Sequence, residues 1–286
     1  MALLLLLWLL AVWPPPVWWR DHWPRETAMM QEAAGTPAPP VRPTPLSEIS
    51  PALQRMVVIG EDSRFWTHHG IDLVEIADAL GIDHGRGAWA TMAALWQHRD
   101  RLRGASTITQ QLAKNLYLSP SRNLPRKVKE AVTALRLELA LPKARILELY
   151  LNVAEWGPGV WGAQAASRTY FGVPASQLDE RAAAALAATL PHPRTSNPRF
   201  QPERTLVRRD LILARYRGVD VYVPPEVEEV DTTPIMAPLI EPELDSITDA
   251  SPSTDNGGDT LTPDGMNGGD TLAKVDTLGT GSDSLP

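Results

Sequence analysis

From residue 46 to residue 217, apolar side chains return every three or four positions in one segment after another, and strand-type alternation is almost missing. That period commits the chain to a mostly α domain in which each helix hides one face. Residues 47–59 read as a helix with Ser47 or Ser50 as cap, Pro51 in its first turn, and Leu53, Met56, Val57 and Ile59 as its apolar positions. Segments 72–80, 106–118, 125–141, 143–153, 162–170, 179–190 and 202–217 carry the same period. In 125–141 the apolar positions are Val128, Val132, Leu135 and Leu139. The one strand signal is 219–223.

The chain's ends have a different character. No charge occurs between Ala2 and Trp19, and the run before Pro14-Pro15-Pro16 is strongly apolar. As a helix that run spans about 18 Å at roughly 1.5 Å per residue, short of the ~30 Å hydrocarbon core. Three readings stand: an anchor over 1–19 with Trp13, Trp18 and Trp19 at the interface, a cleaved signal, or a start lying downstream of the true one. All three put the body outside the cytoplasm, and the anchor reading makes it a single-pass membrane protein. Residues 20–45 are Pro-rich and aperiodic, as in a linker. The domain is then 46–220, followed by a disordered acidic tail over 221–286.

Within that tail, 226–286 hold fourteen Asp/Glu against one lysine, a net −13, which leaves the rest of the chain at +6. It has too little apolar surface to fold alone. The chain has no cysteine, which removes disulfide scaffolds, thiol catalysis and cysteine zinc sites.

Two clusters carry chemistry. Residues 61–72 hold Glu61, Asp62, His68, His69 and Asp72 between two helices. Such a cluster can supply a general base. It can also be a plain polar turn, and its spacing fits no standard metal-ligand pattern. The second cluster is Ser106, Thr107, Gln110, Gln111, Lys114 and Asn115, then Arg122, Arg126, Lys127, Lys129 and Glu130. A carboxylate set among cations suits a phosphate or pyrophosphate, and equally a solvated basic helix face. A nucleotide-binding phosphate loop is missing, and an exported domain makes nucleic acid a poor partner.

The ordered segments Glu-Asp-x-x-Phe-x-x-His-x-Gly-x-Asp (61–72), Gly-Ala-Ser-Thr-Ile-Thr-Gln-Gln-x-x-Lys-Asn (104–115), Arg-Lys-x-x-Glu (126–130), Ile-Leu-Glu-x-Tyr-Leu-Asn (146–152) and Ala-x-x-x-Tyr-Phe (166–171) resemble the peptidoglycan glycosyltransferases. The resemblance covers about 46–217. Glu155-Trp156-Gly157 and Leu190-Pro191-His192-Pro193 look more like the monofunctional biosynthetic enzymes than the two-domain penicillin-binding proteins.

The resemblance implies a lysozyme-like, two-lobed helical fold. It implies polymerisation of lipid II into glycan strands, with inversion at the donor sugar and undecaprenyl pyrophosphate leaving. By motif position, Glu61 is the general base and Glu130 the second cleft carboxylate. Lys114 and Arg122 meet the pyrophosphate, with Arg126 and Lys127 nearby. Ser106, Thr107, Gln110 and Gln111 line the cleft. Asp62 supports the site, His68 and Phe65 are structural, and Glu148, Tyr150 and Asn152 hold the helix behind it.

No cofactor is required, although a divalent cation is compatible. Partners are lipid II, the growing strand, the membrane and other cell-wall synthases. The apolar stretch 88–96 either enters lipid or packs in the core. A glycan-cutting enzyme of the same fold is the main alternative, and it has no pyrophosphate for the cations to hold. A bifunctional penicillin-binding protein is excluded by the missing acyl-transfer motifs.

Overall fold

The computed structural model describes residues 7, 8, 10–33, 42–80, 106–118 and 123–224. The chain divides into two units, Met1–Pro238 and Leu239–Pro286, and every described residue belongs to the first. That unit is mostly helical. Its helices are α1 (Ala28–Ala33), α2 (Pro51–Glu61), α3 (Leu73–Leu80), α4 (Ile108–Tyr117), α5 (Leu124–Ala140), α6 (Lys143–Val153), α7 (Ala163–Phe171), α8 (Glu180–Thr189) and α9 (Pro202–Tyr216). A two-stranded antiparallel hairpin, β1 (Glu155–Gly157) and β2 (Val160–Trp161), lies between α6 and α7.

Local chemistry starts most of these helices. Pro51 opens α2, which needs no amide hydrogen at that position. Thr107 and Gln110 form a reciprocal capping box on α4. Asn123 caps α5 through Arg126 N, and Asp179 caps α8 through Ala182 N. The core then assembles by helix packing. Helix α4 packs on α5 and α6, while α8 packs on α2 and α9. The run Ala183–Ala188 is buried throughout, and its small side chains suit close approach of α2 and α9. Leu53, Met56, Val57, Ile108, Leu112, Leu137 and Trp156 are fully buried.

Four sequence expectations change. Residues 219–223 do not pair as a strand; they run as an extended strap after α9. The strands that do form, β1 and β2, are only three and two residues long, below what alternation can signal.

Secondly, the apolar stripe of α5 is not its buried face. Val128 is 45 % exposed, Leu135 41 % and Leu139 87 %, while Glu130, Thr133, Ala134 and Leu137 face inward. Period alone locates a stripe without saying which stripe meets the core.

Thirdly, the linker expected at 20–45 is docked where it is described. Met30 is fully buried, and Arg20 donates to the Ala140 carbonyl at 2.8 Å. Arg145 donates to the carbonyls of Trp19 (2.9 Å) and His22 (2.7 Å).

Lastly, Trp19, expected in an interfacial belt, is buried and donates from Nε1 to Tyr117 Oη at 2.6 Å. Trp13 and Trp18 stay exposed.

Among the described residues, no helix is long and apolar enough to cross a membrane. Most of the apolar run at 1–9, the stretch 88–96, Arg122 and the acidic tail from 225 onward lie outside the described residues.

Candidate active site

Glu61 is the last residue of α2, and its side chain is only 8 % exposed. Its Oε2 accepts from Gln111 Nε2 at 3.0 Å. The other end of that amide is committed too, since Gln111 Oε1 accepts from Tyr150 Oη at 2.7 Å. The Arg208 guanidinium, itself buried, stands 3.5 Å from Glu61 Oε1. It also donates to the Gly60 carbonyl at 2.5 Å and to the Pro224 carbonyl at 2.6 Å. Helices α4, α6 and α9 thus converge on one carboxylate at the end of α2.

The residues after Glu61 build a frame. Asp62 accepts from His68 Nε2 at 2.9 Å and from the Ile108 amide at 3.0 Å, so it stabilises the positive end of α4. His68 Nδ1 accepts from the Gly70 amide at 3.1 Å, which puts the ring proton on Nε2. Gly70 has φ +90° and its carbonyl accepts from Thr107 Oγ1 at 2.7 Å. A Cβ here would sit 3.2 Å from the Ala134 backbone, so only glycine combines that angle with that approach.

Asp72 caps α3 through the amides of Val74 and Glu75 and binds Arg64 Nε at 2.7 Å. Burial alone would raise the Asp72 carboxyl; the hydrogen bond and charge of Arg64, with the Glu75 amide, outweigh it and hold the carboxyl below its ordinary value.

Asp62, His68 and Asp72 offer one ligand atom each within 4.8 Å of one another and, among the described residues, are the group that could hold a cation. Their donor chemistry fits a hydrogen-bond frame better, because His68 Nε2 carries a proton and Asp72 already serves Arg64 and two amides.

The second carboxylate, Glu130, is buried on the inward face of α5. It accepts from Arg126 Nη1 at 2.9 Å and pairs closely with Lys127. Lys127 Nζ also donates to Ser106 Oγ at 2.8 Å. Ser106 therefore links the cationic cluster to a cavity of about 570 Å³ walled by Glu61, Asp62, Ser106 and Thr107 on one side and residues of the strap on another.

The structure does not bring all the expected residues together in that cavity. Gln110 is buried in the capping box, with its Oε1 accepting from the Thr107 amide at 3.0 Å, and is not among the residues that wall this cavity. Thr107 both caps α4 and walls the cavity. Gln111 reaches the site through Glu61 itself. Lys114 lies in the last turn of α4, and Arg122 lies outside the described residues.

Behind the site, Asn152 exchanges hydrogen bonds with the Thr44 backbone, and Glu148 accepts from the Leu46 amide at 2.7 Å. Arg208 was not legible as a site residue. In sequence it is half of an Arg-Arg pair on an amphipathic helix, and only its burial beside Glu61 marks it.

A buried carboxylate held in one orientation can serve as a base, and cations gathered on a second carboxylate reached through Ser106 can meet an anionic group. The helical frame that carries it is matched by a family profile described as Transglycosylase over residues 30–217, and the chain belongs to that family. It is 42 % identical over 225 residues to a biosynthetic peptidoglycan transglycosylase of Azoarcus sp. (strain BH72), covering 76 % of this chain and 92 % of that protein. A protein of the same description from Thiobacillus denitrificans is 40 % identical over 222 residues (75 % of this chain, 90 % of that one). One from Rhodospirillum centenum is 46 % identical over 175 residues, 60 % of this chain and 67 % of that protein.

Proposed function

We propose that the chain is a peptidoglycan glycosyltransferase that polymerises lipid II into glycan strands. Glu61 takes the proton from the sugar hydroxyl of one substrate as that oxygen attacks the anomeric carbon of the other. The configuration inverts, and undecaprenyl pyrophosphate leaves. A neutral sugar hydroxyl is a weak nucleophile, so a positioned base is needed. Negative charge gathers on the departing pyrophosphate, so fixed cations lower the barrier there. Lys114, Arg122, Arg126 and Lys127 are assigned to that group, and Glu130 orients Arg126 and Lys127. Ser106, Thr107 and Gln111 shape the cleft between the two ends. The fold is read as lysozyme-like and two-lobed.

The observation that carries this reading is the grip on Glu61 by Gln111 and Arg208, with Lys127 bridging Glu130 to Ser106 at the same cavity. A glycan-cutting enzyme would share the base but would have no use for the cations.

Placement at the inner membrane, with the domain on its outer side, is part of the same proposal. It is supported by the exposed Trp13, Val17, Trp18, Leu135 and Leu139 and by a substrate with a polyprenyl tail.

The test is polymerisation of purified lipid II in detergent by the full chain and by Glu61→Gln. Polymer from the wild type with a loss of at least a hundredfold in the variant is expected, in the range of a positioned acid–base group. Equal rates would remove Glu61 as the base; cleavage of finished glycan without polymerisation would replace the reaction.

A further inference from the structure

The strap after α9 is unexplained by the chemistry so far, and it lies past the family match, which ends at residue 217. We propose that residues 218–224 build a saccharide subsite on the Glu61 side of the cavity, with Tyr222 as the platform on which a neutral pyranose ring of the glycan stacks. This rests on the glycosyl-transfer reading above.

The strap is held at both ends. Gly218, at φ +88°, turns the chain out of α9, and the Val219 amide returns to the Ala214 carbonyl at 3.0 Å. Arg215 pairs with the Asp220 carboxylate and reaches the Val221 carbonyl at 3.4 Å. At the far end Arg208 holds the Pro224 carbonyl with the same guanidinium that faces Glu61. Val223 packs against the core. Tyr222, its neighbour, stays 74 % exposed although it walls the cavity. A large aromatic ring left open on a tethered wall, in a cavity that a buried carboxylate also lines, suits something flat and partly apolar.

Charge selects what that is. The cavity wall carries Glu61, Asp62, Asp72, Glu75 and Asp220 against Arg215, with Arg64 paired to Asp72 and Glu75 and Arg208 facing Glu61 from behind, which leaves a modest acidic excess. That excess makes this wall a poorer place for an anion than the side of Arg126 and Lys127. A sugar ring fits: its C–H face lies on the tyrosine, and its hydroxyls donate to carboxylates, which only accept.

The experiment compares the full chain with Tyr222→Ala and Tyr222→Phe. The first readout is calorimetric binding of a soluble β-1,4-linked N-acetylglucosamine tetramer. The second is the KM for lipid II. Tyr222→Ala should weaken tetramer binding about tenfold and raise KM by a similar factor, with a smaller loss in kcat. Tyr222→Phe should stay near wild type, because the ring and not the hydroxyl makes the stack. Equal binding by the alanine variant overturns the proposal, and so does a wild type that does not bind the tetramer. Faster polymerisation by Tyr222→Ala also overturns it and makes the strap a block. Tyr222-dependent binding without polymerisation by any form keeps the subsite and removes the reaction assigned above.

Discussion

Removing Arg208 tests how the site is held together. Its guanidinium binds the Gly60 and Pro224 carbonyls and faces Glu61, all with a side chain only 4 % exposed. Arg208→Met keeps much of the side-chain volume and deletes the charge. Breaking a buried pair by removing one partner costs about 3–5 kcal/mol, because the other charge stays buried. Two carbonyls lose a charged donor as well, so the upper half of that range is expected. In a domain of this size 1 kcal/mol moves the melting temperature by roughly 2–4 °C, so the midpoint should fall by about 8–20 °C.

Calorimetry of the two proteins at pH 7 reads this directly. Below its own transition the variant should still polymerise lipid II slowly, with kcat down at least tenfold, because Glu61 and the strap have both lost their tether. Arg208→Lys should recover less than half of the stability, since one ammonium cannot serve three acceptors in a fork. A melting midpoint within 2 °C of wild type would refute the reasoning, whatever happened to the rate.

Other outcomes follow from single contacts. Asp72 has its carboxyl held below the ordinary value, so the native state binds this proton less readily than the unfolded chain does. Its stabilisation is present above the ordinary value and is lost as pH falls through the lower, folded one; melting scans from pH 6 to pH 2 should therefore drop less steeply for Asp72→Asn than for wild type. Gly70→Ala should destabilise by about 1–3 kcal/mol, since φ +90° and the Ala134 backbone at 3.2 Å leave no relaxed place for a Cβ; chemical denaturation measures it, and a neutral result would mean the loop re-forms. Leu139→Ser, at a site 87 % exposed, should leave stability within about 0.5 kcal/mol and weaken sedimentation with phospholipid vesicles; unchanged vesicle binding would separate this stripe from the membrane.

The sequence shows some parts of this molecule clearly and others not at all. Helices α4, α6 and α8 fall within two residues of their expected bounds, because caps such as Thr107 and Asp179 and a 3.6-residue period are local signals. Glu61, Ser106, Lys127 and Glu130 stand in polar clusters whose residue types alone leave a plain turn or a solvated basic helix face open; the order of the motifs that carry the family resemblance is what singles them out.

Facing is not a local property. Which stripe of α5 turns inward depends on α4 and α6, so Leu139 reads as apolar in sequence and stands exposed in the fold. Whether Trp19 meets lipid or Tyr117 depends on a contact across ninety-eight residues. Gln110 and Gln111 are adjacent and identical in type. The helix geometry alone sends one into a capping box and the other to the carboxylate.

By itself, then, the sequence determined a helical domain and, through the order of its motifs, the family and the kind of reaction. The tertiary structure alone decided which of them meet. Gly60, Glu61, Arg208 and Pro224 are brought together by packing of α2, α8 and α9, and one buried guanidinium can be satisfied only when those distant acceptors converge.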